Sequence, residues 1–593
     1  MDSPQSTKVV HYMQDLFSKY DKIRGQDKNS GYTPFWDAVV ITTADKDQKQ
    51  GYQLQIEAKR KRNELPLNLE IHVITDPPGV KLGNGGATFT ALSFLEEFYG
   101  DKFFSMKILL IHAGGLSKRL PSNSILGKIF SVLPCGIPCY QMLDIKLALY
   151  WPFVPKMNSG IFLTCADDII TYNMDNEGDW SLKDEGFTAL AHPSSIEVGT
   201  GHGVYIVKEK RSVNESVQLA ECTTVLQKPS IETMRKLGAV IDNENDTKNS
   251  TVYTDSAYFF TSSVSKMLLT YAKSHGPFNC EIDAYGDFLQ ALGTDPLSDY
   301  VNNLQNITTT SGDLLNTRKE VFKLLKGTPL NLIILNSSQF FHIGSMPEML
   351  HNFCKSDNFK IGLGLSNDAF NVWLDEQSKE PEPVTKRSCL KGKNEGCLIH
   401  SLLPVGSCIS SLAVLEFCNF DCLIHVSKNC LLSNCEFLGS SSEESQITIP
   451  ENTFMHTIPV TIKDNLKYVT IVFHIKDNLK KSVPLTDFAN IPFLGDTLGK
   501  AVDKLSIPKS QIVSDKNQPE VSLWNVNIFP LADTMSDSFQ LALAMSMSFN
   551  DDGKALNLES YQLVSINSIL KYKSIHEMLK YRQKLFDKIN TQY

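Results

Sequence analysis

No run in this 593-residue sequence approaches the roughly 18 consecutive apolar residues that a membrane-spanning helix requires. The N-terminus, MDSPQSTKVVHYMQDLF, has no basic leader followed by an apolar core, so no secretory signal is expected. Cys-x-x-Cys pairs are missing too. The 13 cysteines are an odd number, and His192, His202 and His342 lack zinc-site spacing with them. These absences predict reduced, mostly buried thiols in a soluble cytoplasmic chain, where a sequon such as Asn214-Glu215-Ser216 goes unmodified. Positive charge is not in excess: the formal net charge is −9 and the pI about 5.9, which argues against a general nucleic-acid binder. Any polyanionic ligand must therefore be held by local cations.

Apolar residues make up 42% and charged residues 21% of the chain, enough for more than one core, and the length suggests three or four domains. Residues 7 to 30 read as an amphipathic helix. The strand FWDAVVITTA follows, then a helix ending in Lys59-Arg60-Lys61-Arg62, a basic run read as a solvated helix face. Apolar runs such as NLEIHVIT, MKILLIH, SGIFLTC, GFTALAH, GHGVYIV and LNLIILN then alternate with helical segments. That alternation predicts an α/β domain, doubly wound with a largely parallel sheet, over residues 36–356 after an N-terminal helical segment at 1–35.

Residues 357–396 are polar and rich in proline, glycine and lysine, and are expected to form a linker. Beyond them, Cys397, Leu403, Ile409 and Leu415 fall six residues apart, as do Ile399, Val405, Phe417 and Leu423 around a polar Ser411. This step suggests a β-helix-like domain over 397–480, with ordinary short strands as the alternative. Residues 481–593 read as a mixed β/α extension ending in a charged helix.

The stretch ILLIHAGGLSKRLPSNSILGK (108–128) carries the chemistry. Glycines after a strand let backbone N–H groups approach a phosphate, and a following helix start adds partial positive charge. Gly114, Gly115 and Ser117 are placed for this, Arg119 can fork onto phosphate oxygens, and Lys128 can supply a point charge. The alternative is a glycine turn with merely solvated cations. The stretch is not a P-loop, because Ile129 follows Lys128 and Ser122 stands where a glycine is required, and it lacks G-x-G-x-x-G.

A-G-G-x-S-x-R-x-P…G-K after a strand resembles the loop of the sugar-1-phosphate nucleotidyltransferases. The Arg–Pro and Arg–Lys gaps are each one residue shorter than the common pattern, and Gly127 replaces the usual Pro. Other stretches follow the same family. IFLTCADDII resembles the strand ending in a Mg²⁺-anchoring Asp, here Asp167 with Asp168 beside it. IEVGTGHGV resembles a Gly-Thr-Gly stretch near base and sugar, here Gly199, Thr200 and Gly201. VLQKPS resembles Glu-Lys-Pro, so Lys228 would reach the sugar phosphate while Gln227 replaces the Glu. FFHIGSMPEML places His342 where a second metal-binding Asp is often found. Glu281, Asp283 or Asp287 could replace that ligand or contact the sugar, or simply begin a helix.

With GNGGATFTAL and CEIDAYGDFLQALG added, the chain is most similar to the fucose-1-phosphate guanylyltransferases, or GDP-L-fucose pyrophosphorylases. The resemblance implies a Rossmann-like catalytic domain, GTP and β-L-fucose 1-phosphate as substrates, Mg²⁺ as cofactor, and no nucleic-acid or membrane partner. Implied roles are catalysis for Arg119, Lys128 and Lys228, nucleotide contact for Gly85, Gly86 and the loop residues, and sugar-phosphate contact for Lys228, Asp283 and His342. A catalytically silent regulatory subunit and a nucleotidyltransferase for another sugar are the alternatives. Self-association through the β-helix-like segment is a further expectation.

Overall fold

A computed structural model of the chain describes residues 4–31, 33–174, 180–208, 215–243, 246–303, 313–374, 394–439, 446–513, 519–549 and 556–592. The chain divides into two compact units. The first comprises Met1–Gly115 and Leu143–His342; the second comprises Leu116–Met142 and Ile343–Tyr593.

The first unit is built on one twisted sheet. Strand β1 (Ala38–Thr43) is buried at every position, as its run of alanine, valine, isoleucine and threonine requires. The chain continues through the helix Lys46–Lys61 to β2 (Glu70–Thr75), then through the helix Gly83–Tyr99 to β3 (Lys107–His112). Strand β4 (Gly160–Cys165) follows. These four lie parallel in the order β2-β1-β3-β4. The chain winds outward from β1 to β2 and then returns to the other side of β1, so its direction reverses between β1 and β3. In open α/β sheets such a switch point leaves a crevice at the strands' carboxyl ends.

The remainder of the unit departs from the expected parallel sheet. With β5 (Asp168–Thr171), β6 (Phe187–Ser195), β7 (Gly203–Val207), β8 (Val217–Gln227) and β9 (Ile241–Asn243) given, the chain reaches β10 (Asp246–Thr261). Strand β10 runs antiparallel to both β4 and β6. Strand β11 (Leu330–Leu335) is parallel to β6 but antiparallel to β8. Antiparallel neighbours need no helical crossover between them. The unit is therefore a mixed α/β structure. Strand β12 (Gln339–His342) pairs with β5 as a separate antiparallel ribbon.

The basic run at the end of the helix Lys46–Lys61 is not wholly solvated. Lys59 is buried, its Nζ lying 2.7 Å from Asp144 Oδ2 and 2.9 Å from Glu64 Oε2. Tyr20 of the helix Pro4–Ile23 donates to the same Asp144 carboxylate at 3.2 Å. Burial pushes the Glu64 carboxyl up, but Lys59 and Arg62 outweigh it and hold the group at about 2. An ammonium so enclosed is tolerated because two carboxylates compensate it.

In the second unit, short strands stack into three parallel ladders. One joins Asp368–Ala369, Cys397–Ile399, Ala413–Glu416, Cys430–Ser433 and Thr453–Ile462; a second joins Val372–Leu374, Leu402–Pro404, Asn419–Phe420 and Glu436–Phe437. The third joins Cys408–Ile409, Ile424–Val426 and Ile447–Ile449. Cys397, Leu403 and Ile409 sit on the three ladders in turn, Leu415 returns to the first, and all four are buried. Leu423 breaks the companion series, being 40% exposed.

Of the expected linker 357–396, residues 375–393 lie outside the described residues. The rest carries the helix Asp357–Leu363 and the two strands that begin the first two ladders. The C-terminal helix Ile575–Asn590 packs on the ladders, with Arg582 over the Phe417 ring at 3.9 Å. Among the described residues the cysteines form no disulfide and most are buried, and no helix is long and apolar enough to cross a membrane.

Candidate active site

The glycine turn after β3 sits at the switch point. A Cβ on Gly114 would lie 3.0 Å from Ala44 N and 3.1 Å from Thr43 C, so a side chain there is accepted only if the end of β1 gives way. Gly115 has φ +123°, a backbone region that side-chain-bearing residues rarely enter. Gln48 Nε2 donates to Gly115 O at 3.1 Å and Tyr52 to Ala113 O at 2.8 Å, fixing the turn from below. Gly114→Ala requires the backbone at the end of β1 to give by a few tenths of an ångström, so turnover is expected to fall by less than the about 100-fold that a 1 Å misplacement can cost. A fall in kcat/KM together with a lowered thermal midpoint is the expected result from steady-state kinetics and calorimetry.

Gly85 and Gly86, expected against the nucleotide, are engaged within the protein. Gly85 N donates to Ile282 O at 2.8 Å, and a Cβ there would lie 2.7 Å from Ile282 Cγ2. A Cβ on Gly86 would lie 2.6 Å from Leu82 Cβ. Gly199 is likewise packed, against Val252 and Met234, while Thr200 is exposed and caps its own turn through Glu197 O. A Cβ on Gly201 would make only an ordinary contact, 3.6 Å from Val198 O. The turn reaches Lys228 through the backbone, Lys228 N donating to His202 O at 2.9 Å. Lys228 is exposed and adopts φ +48°, a strained conformation of the kind that clusters at functional positions.

The Asp pair after β4 splits in two. Asp167 lies 3.3 Å from His342 Nε2, so the histidine standing in place of a second carboxylate pairs with the first. Asp168, expected as a metal ligand, instead binds a residue the sequence reading missed. Buried Lys146 places its Nζ 2.6 Å from Asp168 Oδ1 and 2.6 Å from Asp168 O. A fully buried ammonium must have such a partner, and β5 turns Asp168 inward to supply it. Asp168 Oδ2 is buried without a hydrogen-bond partner among the described residues. No three His, Cys, Asp or Glu side chains among those residues gather as a metal site.

Asp283 caps a turn, its Oδ1 accepting from Tyr285 N at 2.9 Å, while Asp287 is paired with Arg318 at 2.8 Å. Asp255, which lies in no recognisable motif, is a carboxylate buried where the register of β10 shifts. Burial raises its carboxyl to about 7 against the hydrogen bond from Gly203 N at 3.0 Å, with the charges of Asp283 and Asp168 adding to the rise. A carboxyl raised on folding binds protons that the unfolded chain has lost, so its contribution to stability is complete below about pH 4 and is lost as pH rises to about 7. Urea-unfolding midpoints should therefore fall across pH 4 to 7, and Asp255→Asn should flatten that slope.

Within the second unit, the residues following the glycines form their own scaffold. Ser117 has φ +48° and its Oγ is buried without a partner among the described residues. Arg119 is exposed, with its carbonyl accepting from Met346 N at 3.0 Å. Lys118, the cation between them, lies over the Trp524 ring at 5.3 Å, and burial pushes its ammonium down. Lys128 is half-buried and opens a short turn after Gly127, whose φ is +87°.

Comparison with known proteins adds three findings. The sequence model of the fucose pyrophosphorylase domain matches residues 100–534. Proteins named fucose-1-phosphate guanylyltransferase in Mus musculus and Homo sapiens are each 38% identical, over 97% and 99% of this chain and 96% of each relative. A bifunctional fucokinase/GDP-fucose pyrophosphorylase of Arabidopsis thaliana is 24% identical over 35% of this chain and 22% of its own length.

Proposed function

The chain belongs to the fucose pyrophosphorylase family, and from that premise we propose that it transfers GMP from GTP to β-L-fucose 1-phosphate, releasing pyrophosphate and giving GDP-L-fucose. The observation that carries this reading is the Gly114–Gly115 turn, seated where the sheet reverses its winding. A sugar-phosphate oxygen attacks the α-phosphorus of GTP, a phosphorus–oxygen bond forms, and the bond to the departing pyrophosphate breaks. The nucleophile is already an anion at neutral pH, so no general base is required. Catalysis then rests on position and electrostatics. Arg119 stabilises the leaving pyrophosphate, and Lys128 and Lys228 hold the attacking phosphate.

Asp167 offers hard oxygen, the donor Mg²⁺ prefers when phosphates fill the rest of its shell, and Asp168 is committed to Lys146. When bound, the ion supplies charge neutralisation on the triphosphate. We read the three ladders as a β-helix that braces the chain or joins copies, and we propose a cytoplasmic location for the protein.

Pyrophosphate release from GTP with β-L-fucose 1-phosphate and Mg²⁺, against UTP and mannose 1-phosphate, tests the reaction. Release confined to the fucose–GTP pair is the expected result; silence with every pairing overturns it.

A further inference from the structure

A cavity of about 860 Å³ opens in the first unit beside the carboxyl ends of β1 and β2, within the size range of small-molecule sites. Leu82, Phe89, Phe94 and Phe278 form much of its apolar wall, and Ala44 forms part of its rim. Phe89 and Phe278 stack with ring centroids 4.9 Å apart. Into this lining projects a half-buried carboxylate, Asp76, the residue immediately after β2. Its Oδ1 is buried and has no hydrogen-bond partner among the described residues. An unpartnered buried acceptor is costly and calls for a donor from elsewhere.

Three strand ends connect that carboxylate to the glycine turn. Asp76 N donates to Thr43 O at 3.2 Å, and Gly114 lies against Thr43 and Ala44. A nucleotide whose phosphates lie on Gly114–Gly115 therefore has this cavity beside it, across the end of β1. We propose that the cavity holds the purine ring of the nucleotide and that Asp76 reads it as guanine; the assignment rests on the function proposed above for the same site.

The chemistry selects the base. An ionised carboxylate only accepts hydrogen bonds, through two oxygens side by side. Guanine presents two adjacent donors, N1–H and the 2-amino group, that match this pair. Adenine places an acceptor at N1, and uracil flanks its single N–H with carbonyls, so both oppose a carboxylate. Burial raises the Asp76 carboxyl to about 6, which leaves it ionised at neutral pH and favours a ligand that donates to it. Phe89 and Phe94 supply apolar surface for the ring faces.

The test is Asp76→Asn, which turns one acceptor into a donor at nearly constant shape. Asparagine suits xanthine, whose 2-oxo group replaces the amino group. Binding of GDP, IDP and XDP to the full chain is measured by calorimetry, and turnover of GTP, ITP and XTP is measured separately. In the wild-type protein, loss of the 2-amino group should weaken binding by about 10-fold or more. In the variant, GDP binding and GTP turnover should fall by about 10- to 100-fold while XDP binding rises. A gain for xanthine cannot come from misfolding. Unchanged guanine-over-xanthine preference in the variant overturns the assignment to Asp76. Guanine-selective binding that is lost in the variant, with silent turnover in the wild type, leaves the base assignment standing and overturns the reaction instead. No binding of any nucleotide overturns both.

Discussion

Arg119→Ala lowers kcat for pyrophosphate release from GTP by an expected 10²- to 10³-fold, approximately the cost of removing one preorganised donor to developing charge. The side chain is exposed, and the part of Arg119 that supports the loop is its carbonyl, which accepts from Met346 N and survives in alanine. Substitution thus removes the guanidinium and little else. The unfolding free energy should change by no more than about 0.5 kcal/mol, as is usual for surface changes. Arg119→Lys should recover part of the rate, because an ammonium restores the charge but not the forked geometry. Single-turnover kinetics at saturating GTP is the decisive measurement. A variant with full kcat removes Arg119 from the reaction and shifts the burden of charge stabilisation to Lys128 and Lys228.

Lys146→Met is expected to destabilise the protein by about 3–5 kcal/mol, the usual consequence of stranding a buried charge. Lys146 and Asp168 are buried together, and the ammonium also approaches Thr164 Oγ1 at 3.3 Å. Without it, the Asp168 carboxylate keeps its burial and loses its counterion. Asp167 is the preceding residue, so its position is disturbed as well and activity should fall with stability. Pairing the change with Asp168→Asn should recover much of the stability, since neither partner is then left charged. Urea unfolding of the single and double variants measures the coupling. A single variant within about 1 kcal/mol of wild type would show that the pair is not held as an enclosed ion pair.

Elements with a strong local signal were legible in the sequence. The strands at Ala38–Thr43, Glu70–Thr75 and Lys107–His112, and the glycine turn after the last of these, follow from apolar runs and punctuation by glycine. The six-residue step from Cys397 to Leu415 carries over to the three ladders because it measures the distance along the chain from one ladder to the next. What failed were pairings across long sequence separations. Lys59 looked like one cation among four, and only its meeting with Asp144, 85 residues later, makes it an interior charge. Lys146 sits within MLDIKLALY, where a lone lysine carries no local sign that it will bind Asp168. Asp255 is hidden for the same reason: its perturbed carboxyl arises from burial in β10 and not from any motif. The parallel sheet was over-extended because strand periodicity does not distinguish parallel from antiparallel neighbours.

The loop that follows the glycine turn is also a fact about inheritance. Arg119 is tied to Met346, and Lys118 rests on Trp524, so the segment that presents the cations is supported by residues more than two hundred positions downstream. A gene truncated after the sheet would still encode every strand of the first unit while discarding the footing of Arg119. Recombination at that boundary would therefore be costly, because the later half of the chain carries the support of the loop after the glycine turn. Drift at Trp524 should accompany change at Lys118, two sites with no shared motif and one shared fate.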